Sequence, residues 1–274
     1  MQKEFLILVV VYKVDLEKSS TISSLKKNKE HLHNSKILVW DNSPNKSDKI
    51  ESIKKEFNHF EYIHTGDNSS LSYIYNQTIH TNNNFNYMII LDQDSSFTEK
   101  YFISINSAIK NNKDINLFLP IVKSGATIVS PGDYKIFKGS YWKREQYGII
   151  ESKNKLAINS GMIINFDYLK NSFKGYDERL RFYGTDTYFM IFYMKKNKNL
   201  FVIDYILEHD SALLKKDGNI DDVIDREYQL MLGWLRVNSS SKLKLILTYI
   251  YFIFKIIKIS IQHRTIKLLV RICK

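Results

Sequence analysis

An uninterrupted apolar run, YMIIL at residues 87–91, stops at two carboxylates one residue apart, Asp92-Gln93-Asp94. Such a run predicts a strand buried on both faces, which requires a sheet covered by helices on each side. In open α/β sheets, ligands gather at the carboxyl ends of the strands, where these acids stand. Side chains two apart on an extended strand share a face. If the backbone stays extended as far as Asp94, the pair can share one cation, or divide between a cation and a ribose hydroxyl. Hard oxygen donors of this kind suit Mg²⁺ or Mn²⁺ holding a diphosphate. Taken alone, the pair is equally a solvated acidic corner between strand and loop.

The same grammar recurs upstream. FLILVVVY (5–12) and KILVW (36–40) are buried-strand runs rich in β-branched residues, and FEYIH (60–64) is a shorter one. Segments with helical character over 16–33, 47–57 and 70–81 separate them. Strands alternating with helices predict an α/β fold with parallel strands and right-handed crossovers. Lys13, Asp41 and Asp92 follow three of these strands, as a nucleotide site at one sheet edge requires. Downstream, helices are expected at 98–112, 185–196 and 221–237. Strands are expected at 116–122, 126–130, 134–138 and 200–204, with a Gly-kinked strand over 157–165. The expected organisation is one domain over 1–240, with a nucleotide-binding half (1–97) and an acceptor-binding half (98–240), followed by a tail over 241–274.

Composition narrows the class. Hydrophobic residues at 44% and charged residues at 25% fit a globular chain, and three prolines in 274 residues argue against long linkers. Cys273 is the only cysteine, so an intramolecular disulfide is impossible and a cysteine-ligated zinc site is not expected. The first apolar segment is too short for a signal-peptide core and lacks a small-residue cleavage site, which makes the cytoplasm the expected compartment. The net charge is +11, and residues 242–274 carry eight basic residues and no acid, leaving +3 for the remainder. This distribution argues against a nucleic-acid face and for an anionic membrane surface met by the C-terminus.

Within the tail, LILTYIYFIF (245–254) is apolar throughout, but a spanning helix needs ~20 such residues. On a helix, Lys244, Thr248, Tyr251, Lys255, Lys258 and Gln262 fall on one narrow face. Arg264, Lys267, Arg271 and Lys274 form a second basic stripe beyond a bend near His263. The pattern predicts amphipathic helices lying in the membrane interface with lysines toward anionic headgroups. The competing arrangement packs this helix on the body or on a second subunit of an oligomer.

Seven motifs in order resemble the inverting family-2 nucleotide-sugar glycosyltransferases, which have the GT-A fold. The resemblance covers about residues 4–240. VVVYK (9–13) resembles the opening strand, with Lys13 for the common Asn. VWDNSP (39–44) resembles V-D-N-x-S. NSSLSYIYN (68–76) resembles N-x-G-[LI]-[SA]-x-A-x-N, with Ser70 for Gly and Ile74 for Ala. LDQDS (91–95) resembles the rhamnosyltransferase branch of the capsule, O-antigen and exopolysaccharide enzymes. GYDERLRFYGTDTYF (175–189) resembles the acceptor-side motif, with Thr185 for an acidic partner and Tyr188 where that branch has Glu. LEHD (207–210) resembles the late H-x-x-G, with Ala212 for Gly. Arg236-Val237-Asn238 resembles the R-N pair that follows.

The resemblance implies transfer of rhamnose from dTDP-rhamnose, or of a hexose from a UDP donor, to a polyprenyl-diphosphate-linked oligosaccharide. It implies Asp186 as catalytic base. Tyr12, Asp41, Asn68, Asn76 and Asp92 would hold the donor, with Asp41 at the base. Asp94 and His209 would hold Mg²⁺ or Mn²⁺, and Arg179, Arg181 and Arg236 would meet phosphate or acceptor. Each residue also has a plainer reading. Asp41 would form an Asx-turn, Thr185 or Asp186 would cap a helix, His209 would be a buried structural histidine, and the arginines would be surface or ion-pair residues. Two rival functions remain: a metal-dependent phosphohydrolase with an Asp nucleophile, and a degenerate transferase serving as a membrane scaffold.

Overall fold

The apolar runs become strands in a computed structural model that describes residues 3–208, 220–265 and 267–268. The first half comprises β1 (Lys3–Val11), α1 (Ser20–Lys27), β2 (Lys36–Asp41), α2 (Ile50–Lys54), β3 (Phe60–His64), α3 (Leu71–Thr81), β4 (Phe85–Asp92) and α4 (Glu99–Asn111). Its strands are parallel in the order β3-β2-β1-β4. Register sets Val11 beside Asp41 and Val10 beside Asp92, so the polar strand ends form one edge. Serines start two of the helices that follow this edge. Ser19 caps α1 by accepting from the Ile22 amide, and Ser70 caps α3 by accepting from the Tyr73 amide. A cap accounts for Ser70 where the resembled family has Gly.

The second half comprises β5 (Leu117–Ser124), β6 (Thr127–Ser130), β7 (Gly132–Lys135), β8 (Lys138–Tyr141), β9 (Gly148–Glu151), β10 (Lys155–Leu156), β11 (Ile163–Asn165), α5 (Phe166–Asn171), α6 (Thr185–Lys196), β12 (Asn199–Glu208), α7 (Ile220–Asn238) and α8 (Lys242–Gln262). Among the described residues, one nine-stranded sheet runs β3-β2-β1-β4-β11-β5-β12-β9, with β6 on β5, and a smaller sheet runs β10-β7-β8. Side chains alternate across the large sheet. Leu6, Leu8, Met88 and Ile90 meet α3, α5 and α6 on one face, while Phe5, Ile7, Ile89 and Leu91 meet α1 and α4 on the other. β11 is antiparallel to both β4 and β5 and joins the two halves.

Two expected strands differ. Residues 134–138 straddle a hairpin turn between β7 and β8, with Ile136 at φ 53°. Of residues 157–165, only the last three are strand, because a polar Asn159-Ser160-Gly161 turn interrupts the run.

The tail helix is rotated from the expected orientation. Only part of the face expected to meet headgroups packs on the protein: Thr248 is buried, with Phe252, Ile256 and Ser260 beside that face, and Lys244, Tyr251 and Lys255 are half-buried, while Lys258 and Gln262 stay exposed. Lys244 reaches the Tyr134 hydroxyl at 3.3 Å, and Lys255 pairs with Glu227 at 2.6 Å. Polar contacts at the α7–α8 corner fix this rotation. The Asn238 amide nitrogen donates to the Thr248 hydroxyl and the Phe137 carbonyl, both at 2.9 Å. The outward face carries Leu243, Ile246, Ile250, Phe254, Ile257 and Ile261, all exposed. The 21-residue helix is long and apolar enough to cross a membrane. It ends with His263 as C-cap, and Lys267 then pairs with Asp221 at the start of α7. Arg271 and Lys274 lie outside the described residues.

Candidate active site

β4 ends at Asp92, and Gln93 and Asp94 form a turn, so the backbone does not stay extended to the second carboxylate. The start of α1 grips this turn. The Ser19 hydroxyl donates to the Gln93 carbonyl at 2.6 Å, and the Thr21 hydroxyl contacts the Asp92 carbonyl and accepts from the Ser95 amide at 2.9 Å. From the other side, the Ser160 and Ser95 hydroxyls bond at 2.8 Å. The Gln93 side chain accepts from the Tyr12 amide at 2.7 Å, tying the turn to the tip of β1. Asp92 and Asp94 are half-buried on this fixed turn. Two carboxylates held by a braced turn at a sheet edge fit a hard divalent cation. β12 ends at Glu208, which bridges to Ser96 just past the turn; His209 lies outside the described residues. Elsewhere, Glu30, His31 and Glu99 form a surface group with ligand atoms within 4.8 Å of one another, sharing no residue with the turn.

Beside the acidic turn, a cavity of about 450 Å³ is lined by Lys13, Asp15, Asp41, Ser43, Lys46 and Asp48, among others. The Asp41 carboxylate accepts from the Ser43 amide at 2.9 Å and from the Tyr62 hydroxyl. It therefore makes the Asx-turn and stands in the cavity wall as well. Burial, and then the Asp41 carboxylate, push the Tyr62 hydroxyl well above its ordinary pKa. Lys13 adopts a left-handed backbone with φ 51°, a conformation Asn tolerates better than Lys. Tyr12 is exposed, with the Lys13 ammonium 5.1 Å from its ring centre. The Asn42 side chain bonds to Asn68 at 3.0 Å and to the Ser69 backbone at 2.9 Å, fixing the loop ahead of α3.

Asp186 lies in the first turn of α6. Neither it nor Thr185 is the cap; Gly184, with φ 89°, holds that position. Thr185 instead accepts from the Asn159 amide at 3.0 Å. Asp186 accepts from the Thr187 amide at 2.6 Å. Burial pushes its carboxyl above the usual aspartate range, and the Thr187 bonds pull it part of the way back. It lines a second cavity, of about 370 Å³, between the β7–β8 hairpin, the 182–187 segment and α7–α8. Between the two acidic sites stands Tyr75, fully buried, its hydroxyl raised by burial and by the charges of Asp92 and Asp186. The Asn159 amide donates to that hydroxyl at 3.4 Å.

The remaining predicted residues organise the 175–181 segment. Asn76 is buried; its oxygen accepts from the Tyr176 amide at 2.7 Å and its nitrogen donates to the Tyr176 carbonyl at 3.0 Å. It clamps the 175–178 segment onto α3. Asp177 takes a two-point contact from Arg179, at 2.8 and 2.9 Å, and a third from Arg236 at 2.9 Å. Arg181 donates to the Asn68 carbonyl at 2.8 Å. Sequence reasoning missed Tyr62, Tyr75, Asn159 and Ser160. The available signal for the last two was a polar Asn-Ser pair inside an apolar run.

No protein-family model and no curated protein matches the chain. Solved structures do. S. aureus TarS 1–349 matches with TM-score 0.55 and 16% identity, over 87% of this chain and 73% of that one. GalNAc-T7 with UDP, GalNAc and Mn²⁺ matches with TM-score 0.65 and 10% identity, over 87% of this chain and 48% of that one. The mannosyltransferase PcManGT from Pyrobaculum calidifontis, in complex with GDP-Man and Mn²⁺, matches with TM-score 0.56 and 10% identity, over 92% and 70%. These neighbours are GT-A glycosyltransferases. The fold is GT-A. Its sheet carries Asp41 and Asp92 on one GT-A edge, with Asp186 on the helix that follows the inserted smaller sheet.

Proposed function

We propose that this GT-A chain is an inverting glycosyltransferase. The reading is carried by two acidic sites flanking one buried tyrosine: the Asp92-x-Asp94 turn on the donor side, and Asp186, with its raised pKa, on the other. An acceptor hydroxyl attacks the anomeric carbon of a nucleoside-diphosphate sugar. The new bond forms from the hydroxyl oxygen, its proton passes to Asp186, and the nucleoside diphosphate leaves with the electrons of the broken C–O bond. A free Asp, with a pKa of ~3.9, is a weak base; partial desolvation brings this one closer to a working range.

Tyr12, Asp41 and Asn68 hold base and ribose, with Asp92 at the ribose or the metal. Uracil and thymine both offer an N3–H that the Asp41 carboxylate can accept. Asp94, with Asp92 and His209, would hold Mg²⁺ or Mn²⁺, which supplies positive charge against the leaving diphosphate. Asn76 acts one step back, through the segment it clamps. Arg179 and Arg236, joined through Asp177, and Arg181 line the approach for phosphate or acceptor. Residues 1–97 serve the donor and 98–240 the acceptor.

The LDQDS resemblance favours dTDP-rhamnose; the neighbour complexes with UDP and with UDP-GlcNAc favour a UDP-hexose. The acceptor is a polyprenyl-diphosphate-linked oligosaccharide of surface polysaccharide synthesis, met at the cytoplasmic face of the membrane through α8. The phosphohydrolase reading loses its support, since its acidic motif belongs after the first strand of a domain and here follows β4.

The deciding experiment follows nucleoside diphosphate release from dTDP-rhamnose, UDP-glucose, UDP-galactose and their N-acetyl relatives. It is run with Mn²⁺, Mg²⁺ or EDTA, on an extract of lipid-linked saccharides. Metal-dependent release from one donor, lost in Asp94→Ala and Asp186→Ala, is the expected result. No release from any donor, with no donor-induced thermal shift, would overturn the transferase and leave the scaffold.

A further inference from the structure

His31 carries a polar atom that the fold leaves without a hydrogen bond. Its Nε2 is buried and has no hydrogen-bond partner among the described residues, which is uncommon for a buried side-chain nitrogen and costs free energy. The ring is fixed by packing. It stacks on the fully buried Phe102 ring, with centres 6.0 Å apart and planes 14° apart. Two carboxylate oxygens stand around Nε2: Glu30 Oε1 at 3.9 Å and Glu99 Oε2 at 4.0 Å.

These distances separate two explanations. An imidazolium bonded directly to a carboxylate closes to ~2.7–2.9 Å. Both gaps here are wider than a hydrogen bond. A zinc ion has bonds of ~2.0–2.2 Å to imidazole nitrogen and carboxylate oxygen, which sets its tetrahedral ligands roughly 3.3–3.5 Å apart. The three ligand atoms lie within 4.8 Å of one another, so a fraction of an ångström of movement by each would close the site. The carboxylates have that freedom. The Glu30 and Glu99 side chains are 70% and 64% exposed, against 24% for His31. One ligand is therefore held by the core, and two reach in from solvent. The adjacent Lys29 does not neutralise them, since it pairs with Glu56 at 3.2 Å.

The three residues come from two elements. Glu30 and His31 lie on a single 3-10 turn, Lys29–Leu32, between α1 and β2, and Glu99 lies in the first turn of α4. An ion there would join the two just where the acidic turn feeds into α4. Hydrogen bonds already fasten the same junction from within. The Phe97 amide donates to the Ser24 hydroxyl at 3.2 Å, and the Asn28 side chain donates to the Ser24 carbonyl at 2.7 Å and the Phe97 carbonyl at 3.5 Å.

We propose that Glu30, His31 and Glu99 form a second metal site, which takes Zn²⁺ with water in the remaining position. An imidazole ligand suits zinc, whereas the paired carboxylates of Asp92 and Asp94 suit the harder Mg²⁺ or Mn²⁺. The ion braces the junction between the 29–32 turn and α4 and takes no part in sugar transfer. The proposal therefore stands apart from the transferase reading.

The test titrates Zn²⁺ by calorimetry into the whole, metal-stripped chain carrying Asp94→Ala, which weakens the acidic turn as a competing site. About one equivalent is expected to bind. His31→Ala or Glu99→Gln, added to that background, should weaken binding at least about tenfold. Zinc at about ten times its Kd should raise the melting temperature by about 2–4 °C in the Asp94→Ala protein and in neither double variant. Glu99→Gln changes an exposed side chain and carries the test if loss of the ring from Phe102 unfolds His31→Ala. No zinc binding to the Asp94→Ala protein, or unchanged affinity in a folded double variant, overturns the proposal and leaves three solvated side chains. Displacement of the zinc by Mg²⁺ at equal concentration would overturn it as well, because an imidazole ligand discriminates against magnesium.

Discussion

At Asp186, one physical cause has two effects of opposite sign. Burial raises the carboxyl pKa, which makes the group a better base and also makes its charged form a burden on the fold. An acid whose folded pKa lies above its unfolded value carries no penalty while both states are protonated. The penalty grows as pH rises through the folded value. Asp186→Asn should therefore cut transfer by about 10²–10⁴-fold while raising the melting temperature near neutral pH and leaving it little changed in strong acid. Thermal melts at the two extremes check the sign, and an unchanged neutral melting temperature would contradict it. Asn76 gives a second case. Asn76→Ala leaves the Tyr176 amide and carbonyl unpaired, a loss of about 1–3 kcal/mol. It should lower kcat through the 175–178 segment more than it weakens nucleotide binding, which a thermal-shift titration with UDP or dTDP reads separately. Asp92 and Asp186 were legible because each ends or begins a strongly patterned element. Tyr75 and Asn159 were not, since their importance comes from an encounter across 84 residues that no local pattern encodes. Asn76 was singled out by its motif, but its partner, the Tyr176 backbone, was not.

Among the elements, α7 meets the 183–187 segment with almost no clearance. A Cβ on Gly233 would lie 2.5 Å from the Tyr183 carbonyl oxygen, and one on Gly184 would lie 3.2 Å from the Gly233 carbonyl oxygen. In a free helix Gly→Ala gains about 1 kcal/mol. Here the clash is with backbone, and Gly233→Ala should instead cost about 1–3 kcal/mol and reduce kcat by displacing the turn that carries Asp186. Urea denaturation settles the sign, because a more stable Ala variant would mean that no close approach exists. α8 shows where helical spacing misleads. Spacing grouped Lys244, Thr248, Tyr251, Lys255, Lys258 and Gln262 as one lipid-facing stripe, but Lys244, Thr248 and Lys255 find partners in Tyr134, Asn238 and Glu227 on other elements, while Lys258 and Gln262 stay exposed. The apolar face is the outward one. Ile250→Glu with Phe254→Glu should abolish co-sedimentation with anionic vesicles while leaving donor binding intact. Vesicle binding that survives both changes would assign the stripe to a second copy or another partner.

Across the whole molecule, the proposed division into donor and acceptor halves does not correspond to two independent cores. β4 pairs with β1 on one side and with β11 on the other, and β11 pairs in turn with β5. Ile89 and Ile163 face each other across that seam and share one apolar layer with Phe118. A fragment of residues 1–97 should therefore fail to fold cooperatively, which circular dichroism melts would show as a broad or absent transition. A sharp two-state melt of that fragment would refute it. The parallel pairing of β1–β4 followed from strand–helix alternation, though not their order in the sheet. The antiparallel insertion of β11 did not, since three residues carry too little pattern to announce a reversal.

That seam also bears on how the chain is made. β4 leaves the ribosome well before β11, which completes only at Asn165. At translation speeds of ~5–20 residues per second, the nascent protein holds a hydrophobic strand with one open edge for roughly 4–15 s. Open apolar edges template pairing between chains. Neighbouring ribosomes on one message would present such edges to one another, so the yield of folded protein should depend on chaperone cover or on the pace of translation between the codons for Asp92 and Asn165.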